Sequence, residues 1–442
     1  MSSPALAPDR HAAYDKSRIF LVSVLALVTA GMSASIRSNI AGDLQRIFLD
    51  PIDKTHSAGM IATILGVPFG SFALTIAIGS PLLDAIGMGL LLPLSGVLFL
   101  IGTLVFLFAA SIAAAAGVGI YTVLYVAAVI TGIGWGLVET VVNPLTATLY
   151  PDDKTTRLNH LHAWWPGGLI IGGLLGVAMS QMGFDWKVKL VCSMVPAAAV
   201  TLMCIGVKFP PTERAAAGIS AKEMFRELAQ PMFLVLFCSM FLTAASELAP
   251  GQWVDLALSR TVHMPGILLL VYVSGIMFVA RHFTGPLVHR LSPIGLLWIS
   301  SLLASLGLLA LSVANSPVTG VLAATVWGCG VCFMWPTMLA TASERFPRGG
   351  ALLMGLMGTA GTTSIYFVLP QMGKIFDNEA VRLAGSPDAY RKLTGAALDH
   401  LQGLAAQLSF REVAALPAFL LIVFGAIWMY DRSKGGFKAK KV

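Results

Sequence analysis

The chain has 442 residues, of which 56% are hydrophobic and only 12% charged, against about 45–50% and about 25% in an ordinary soluble domain. The apolar residues gather in runs of about 20 or more, the length that crosses a hydrocarbon core of about 30 Å at 1.5 Å per helical residue. That excludes a soluble enzyme, and the excess of 29 Lys and Arg over 22 Asp and Glu is then read from its placement in loops rather than as a nucleic-acid signal.

In chain order the runs predict twelve spans, at 18–46, 57–84, 90–112, 117–149, 158–181 and 187–208, then 231–258, 266–288, 293–314, 318–345, 349–376 and 411–431. Arg10, Lys16 and Arg18 precede the first run with no small-residue cleavage site after it, so this span is expected to be retained. The segments are an N-tail (1–17), a six-helix bundle (18–208), a polar linker (209–230), a second bundle (231–431) and a basic C-tail (432–442). Lys and Arg are concentrated in the segments that lie on one side if both termini are cytoplasmic, which is the orientation the positive-inside rule predicts. The five cysteines all fall inside apolar runs and read as small buried hydrophobes.

The halves echo one another. Trp135-Gly136 is followed eight residues after the Gly by Pro144, and Trp327-Gly328 is followed at the same distance by Pro336. After span 2 the chain reads Ser80-Pro81-Leu82-Leu83-Asp84-Ala85-Ile86-Gly87, and after span 8 Gly285-Pro286-Leu287-Val288-His289-Arg290. Paired motifs at equivalent places point to a duplicated bundle with a substrate site between the halves.

The loop after span 2, with Asp84 and Gly87, resembles that of the major facilitator superfamily. Glu139-Thr140-Val141-Val142-Asn143-Pro144, Leu158-Asn159 with His162, Glu247 with Gly251 and Trp253, Pro336-Thr337 and Glu344-Arg345-Phe346-Pro347 resemble the fucose permease group of sugar transporters within it. The resemblance implies an all-α membrane fold of twelve helices in two pseudo-symmetric six-helix bundles. It also implies a monomeric alternating-access importer of a monosaccharide or close derivative, in a bacterial inner membrane, with the proton as coupling ion and no other cofactor. Gating would involve Asp84 and Arg290. Ser38, beside Arg37, stands where the group has an aspartate in span 1.

The residues themselves support several roles. Glu139 lies well inside span 4, where an ionised carboxylate costs about 2.5–3.5 kcal/mol on insertion scales; it is expected either to carry a proton or to pair with Arg37. His162 is suited to share that proton. Asn143 offers donors and acceptors to sugar hydroxyls. Trp165, Trp253 and Trp335 are candidate platforms for a pyranose ring, with Trp164 assigned to packing. Gln252, Glu247, Thr362 and Tyr366 complete the candidate substrate contacts, and Glu247 is expected to pair with Arg281. An uncoupled uniporter and an exporter of amphipathic drugs or lipids stay open as alternatives.

Overall fold

The computed structural model describes residues 14–53, 56–261 and 266–441. Among them, eleven helices are long and apolar enough to cross a membrane. The twelfth, Gly266–His282, has 17 residues and resumes at Thr284 after a break at Phe283.

The first half comprises α1 (Lys16–Leu44), α2 (Ser57–Ile86), α3 (Met88–Leu107, resuming at Ala109–Ala116), α4 (Ile120–Leu149), α5 (Lys154–Gln181) and α6 (Trp186–Cys192 and Met194–Met203). Two short helices, Glu213–Ala216 and Ala221–Arg226, form the linker, the second opened by a reciprocal cap between Ser220 and Glu223. The second half comprises α7 (Pro231–Thr261), α8 (Gly266–His282 and 284–291), α9 (293–311), α10 (Pro317–Val331 and Met334–Arg345), α11 (Gly350–Ala384) and α12 (Gly395–Val413 and Ala415–Ser433).

Glycine sets how closely helices approach. α1 and α5 pack with Gly168 so near Val28 that an added Cβ would stand 2.7 Å from the Val28 carbonyl oxygen, the small-residue packing expected where helices meet inside a bilayer. At the α2–α3 reversal Gly87 has φ +94°, a region open to glycine at little cost. The α8–α9 reversal is made by Ser292, at φ +62°. Aligning Pro81 with Pro286 brings Gly87 onto Ser292, so the backbone repeats where the sequence does.

The segment 377–410, left between the last two expected spans and helical in its composition, is largely helical. α11 has 35 residues, about 52 Å of helix, and α12 begins at Gly395 rather than 411, with Ala405, Ala406 and Phe410 fully buried. The N-terminal helix also starts earlier than expected, at Lys16, where the Asp15 carboxylate accepts the Arg18 backbone N–H.

The linker and both described chain ends lie at one end of the bundle, termed here the linker end. The Arg18 guanidinium donates to the Met203 carbonyl at 2.9 Å, and the Lys440 backbone N–H donates to the Glu344 carbonyl at 2.8 Å. Across the halves, packing runs through α2 with α11 and through α5 with α8 and α10. The pairing of α1 with α7 is not among the packed interfaces of the described residues. The halves are therefore packed together at the linker end.

Candidate functional site

Residues four apart share a helix face, so α4 presents Trp135, Glu139 and Asn143 as one stripe. α5 runs antiparallel beside it and presents His162 and Trp165, three apart. The stripes meet at two levels. Trp135 and Trp165 stack with ring centroids 4.6 Å apart and planes 9° from parallel, and Trp135 also rests on Phe72 of α2 at 4.3 Å. One turn nearer the linker end, Asn143 Nδ2 donates to Glu139 Oε2 at 2.7 Å, and Asn143 Oδ1 lies 2.8 Å from His162 Nε2. Because that oxygen only accepts, Nε2 carries the hydrogen and the neutral ring has its free acceptor at Nδ1. Direct contact between His162 Nε2 and Glu139 Oε2 is longer, at 3.9 Å. The amide is the link between acid and imidazole.

The chain of polar contacts then crosses to the second half. Arg281 of α8 donates through Nη1 to the His162 carbonyl at 2.8 Å, through Nε to the Cys332 carbonyl at 2.5 Å, and through Nη2 to Glu247 Oε1 at 3.2 Å. Glu247 and Arg281 therefore pair as expected from the sequence, both nearly sealed from solvent.

Arg37 does not join this network. Of the two readings of Glu139, proton carrier or counter-ion to Arg37, the pairing is not formed: the Arg37 guanidinium reaches back one turn to Ser33 Oγ at 3.0 Å. Helical side chains lean toward their own N-terminus, which accounts for the direction.

The other candidate contacts divide. Trp164 packs edge-on against Phe278 of α8 at 5.1 Å. Trp335 of α10 covers Gly361 of α11. The Thr362 hydroxyl is engaged by its own helix, donating to the Gly358 carbonyl at 2.6 Å. Tyr366 is 75% exposed; eleven residues beyond Gly355, it returns to within about 20° of the same direction, and Gly355 faces Ser80 of α2. Tyr366 thus lies on the α2-facing side of α11, beyond the closure. Gln252 and Trp253 lie in α7, and their side chains fall outside the described residues.

The linker end is held by contacts that the motifs did not reveal. Asp84 pairs with Arg214 of the linker and accepts the Thr212 hydroxyl at 2.6 Å. Arg290 lines an exposed cavity of about 520 Å³ with His289, Asp152 and Lys441. Lys154 pairs with Glu213 at 2.6 Å. The Thr155 hydroxyl donates to Glu344 Oε1 at 2.7 Å, and Asn159 Nδ2 donates to Thr337 Oγ1 at 3.2 Å, both across the halves. Glu223 pairs with Arg348 at 2.6 Å, and the Ser220 backbone N–H holds its carboxyl below the usual carboxylate range. Arg214 carried no sequence signal beyond its charge, because its partner is 130 residues away.

The sequence profile described as Major Facilitator Superfamily matches residues 19–369. The chain belongs to the Major Facilitator Superfamily. As a member of that superfamily it is a membrane-embedded transporter of small molecules. A search of curated proteins by sequence finds no match. Among solved structures, a variant of the E. coli fucose:proton symporter FucP is 16% identical with a TM-score of 0.65, covering 91% of this chain and 99% of that one. The proton:xylose symporter XylE, bound to 6-bromo-6-deoxy-D-glucose, is 15% identical with a TM-score of 0.71, covering 94% and 96%. The human organic anion transporter MFSD10 is 14% identical with a TM-score of 0.65, covering 93% and 99%. These likenesses establish the superfamily fold.

Proposed function

We propose that the protein imports a monosaccharide or close derivative by alternating access, driven by a proton carried on Glu139. The observation that carries this reading is the Glu139–Asn143–His162 triad: a buried carboxyl with an amide donor and no cationic partner among the described residues. An ionised carboxylate inside the membrane without a cation is costly. Protonation from water removes the charge, and His162 is within one amide of the proton. The paired tryptophans beside the triad supply an aromatic face for a pyranose ring. The symporters FucP and XylE, which share the fold, are named for fucose and xylose, and this agrees with the sugar reading.

In this reading the linker end is cytoplasmic, the structure is outward-facing, and the membrane is a bacterial inner membrane. The protein works as a monomer, with the proton as its only coupling species. Glu247 and Arg281 act as a neutral pair that ties α7 and α8 to the α5 backbone in this state. Trp335, Tyr366, Thr362, Gln252 and Trp253 contribute the second half's contacts to substrate.

The test is uptake of labelled monosaccharides and their acid derivatives by purified protein in liposomes, with and without an inward proton gradient. Accumulation above equilibrium only with the gradient is expected. Glu139→Gln, which mimics the protonated acid, should abolish accumulation, at least tenfold, while sparing exchange of labelled for unlabelled substrate. Accumulation by the Gln variant would remove Glu139 from coupling; gradient-independent equilibration by the native protein would make it a uniporter.

A further inference from the structure

Arg37 is 6% exposed, and among the described residues its guanidinium has one hydrogen-bond partner, Ser33 Oγ. Its position relative to the site follows from the α1–α5 packing. Gly31 abuts the carbonyl of Trp165, and further along Gly176 abuts Asn39. Ser33 lies two residues beyond Gly31, so the guanidinium sits about 3 Å beyond the level of that carbonyl, away from the linker end. Glu139 lies four residues, about 6 Å, nearer the linker end than Trp135. Going toward the linker end the order is Arg37, the Trp135–Trp165 stack, then Glu139.

Direction agrees with level. α1 packs on α5 through Val28, Met32 and the Ser35 hydroxyl, while Ile36 and Ile40 enter the core with residues of α2, α3, α4 and α6. The uncovered face, marked by exposed Ser38, lies between α5 and α2. Those are the helices that reach the second half at the linker end, so this face turns toward the second half. Arg37 stands at its edge, next to Ser38.

We infer that Arg37 is the carboxylate-binding subsite of the transport site, and that the substrate is a sugar acid rather than a neutral sugar. The inference rests on the transport reading above and deepens it. Charge balance carries it further. The Glu247–Arg281 pair is internally neutral, and His162 is neutral in the hydrogen-bonded form described, which leaves Arg37 and Glu139 among the described residues of the site. In the empty site Arg37 is balanced by ionised Glu139. With substrate bound, a carboxylate balances Arg37 while Glu139 holds the proton. Both forms that must reorient within the membrane are then uncharged, whereas a neutral sugar with a proton would leave one excess positive charge in a medium that penalises it. A guanidinium offers a planar fork matched to a carboxylate, and the ring between the two ends lies against the tryptophan pair.

The experiment compares matched probes, D-glucose with D-glucuronate and D-gluconate, and D-galactose with D-galacturonate and D-galactonate, in liposomes of native protein under an inward proton gradient. At least one acid should be taken up tenfold or more faster than its neutral parent. It should also protect detergent-solubilised protein against thermal unfolding where the parent does not. Arg37→Gln should lower uptake of that acid at least tenfold, and Arg37→Lys should restore part of it. Equal or better uptake of the neutral sugars would overturn the inference while leaving sugar transport standing, and this arm needs no variant to fold. Unchanged acid uptake by Arg37→Gln would also overturn it. Failure of every probe would overturn both the inference and the sugar reading.

Discussion

At the scale of single residues, the site is organised by an amide. Asn143 spends its donor on Glu139 and its acceptor on His162, so Asn143→Ala strands two buried polar groups at once. Each unsatisfied group costs about 1–3 kcal/mol. Asn143→Ala should therefore lower the thermal unfolding midpoint and cut gradient-driven accumulation at least tenfold; a variant with native stability and coupling would show that the amide does not link the two groups. Asn143→Asp should be worse, since it sets a second carboxylate beside Glu139. The sequence motif exposed Glu139, Asn143 and His162 because they lie close along the chain on two consecutive helices. It concealed Trp135 as the partner of Trp165, and it left the partner of Arg37 open, because stacking and pairing depend on how far one helix slides along another. Periodicity fixes a face of each helix but not that offset.

At the scale of elements, the repeat is visible in backbone strain. Gly87 and Ser292 occupy equivalent places with φ of +94° and +62°, and for Ser292 ψ is 163°, a region that only glycine enters readily and that costs other residues about 1–3 kcal/mol. Ser292 offsets part of this by accepting the Gly295 backbone N–H at 3.3 Å, and replacing such a cap by glycine costs only a few tenths of a kcal/mol. Ser292→Gly should therefore stabilise the protein, by roughly 1 kcal/mol on these magnitudes, and raise its thermal midpoint in detergent. An unchanged or lower midpoint would mean that the reversal is not strained. Eleven of the spans were legible because each is a long apolar run. Between the last two spans the composition showed helical character, but the continuity of α11 to Ala384 and of α12 from Gly395 was not legible, since there the helices are held by packing such as that of Phe410 and Ala405 rather than by unbroken hydrophobicity.

At the scale of the whole molecule, two contacts that join the linker end beside the α5–α10 hydrogen bonds differ in kind, and their magnitudes decide which of the two governs the conformation. The C-terminal segment crosses between the halves: Lys441 pairs with Asp152 at 2.8 Å, and Arg345 lies 4.9 Å from the Phe437 ring. The Lys441 and Asp152 side chains are 82% and 76% exposed, and a pair so open to water contributes about 0–1 kcal/mol. The α2–α11 interface is different in kind. Gly355 lies directly against Ser80, and a Cβ there would overlap the serine side chain; both residues are buried. Cores resist such insertion, typically by about 1–3 kcal/mol, and the shared interface yields by separating the halves at this end. Removal of residues 435–442 should thus leave transport rates and the distance between spin labels on the linker ends of α2 and α11 nearly unchanged. Gly355→Val should lengthen that distance and slow transport by favouring the form open at the linker end. If truncation opened the molecule while Gly355→Val left it closed, the tail would be the latch and the helix interface a passive surface.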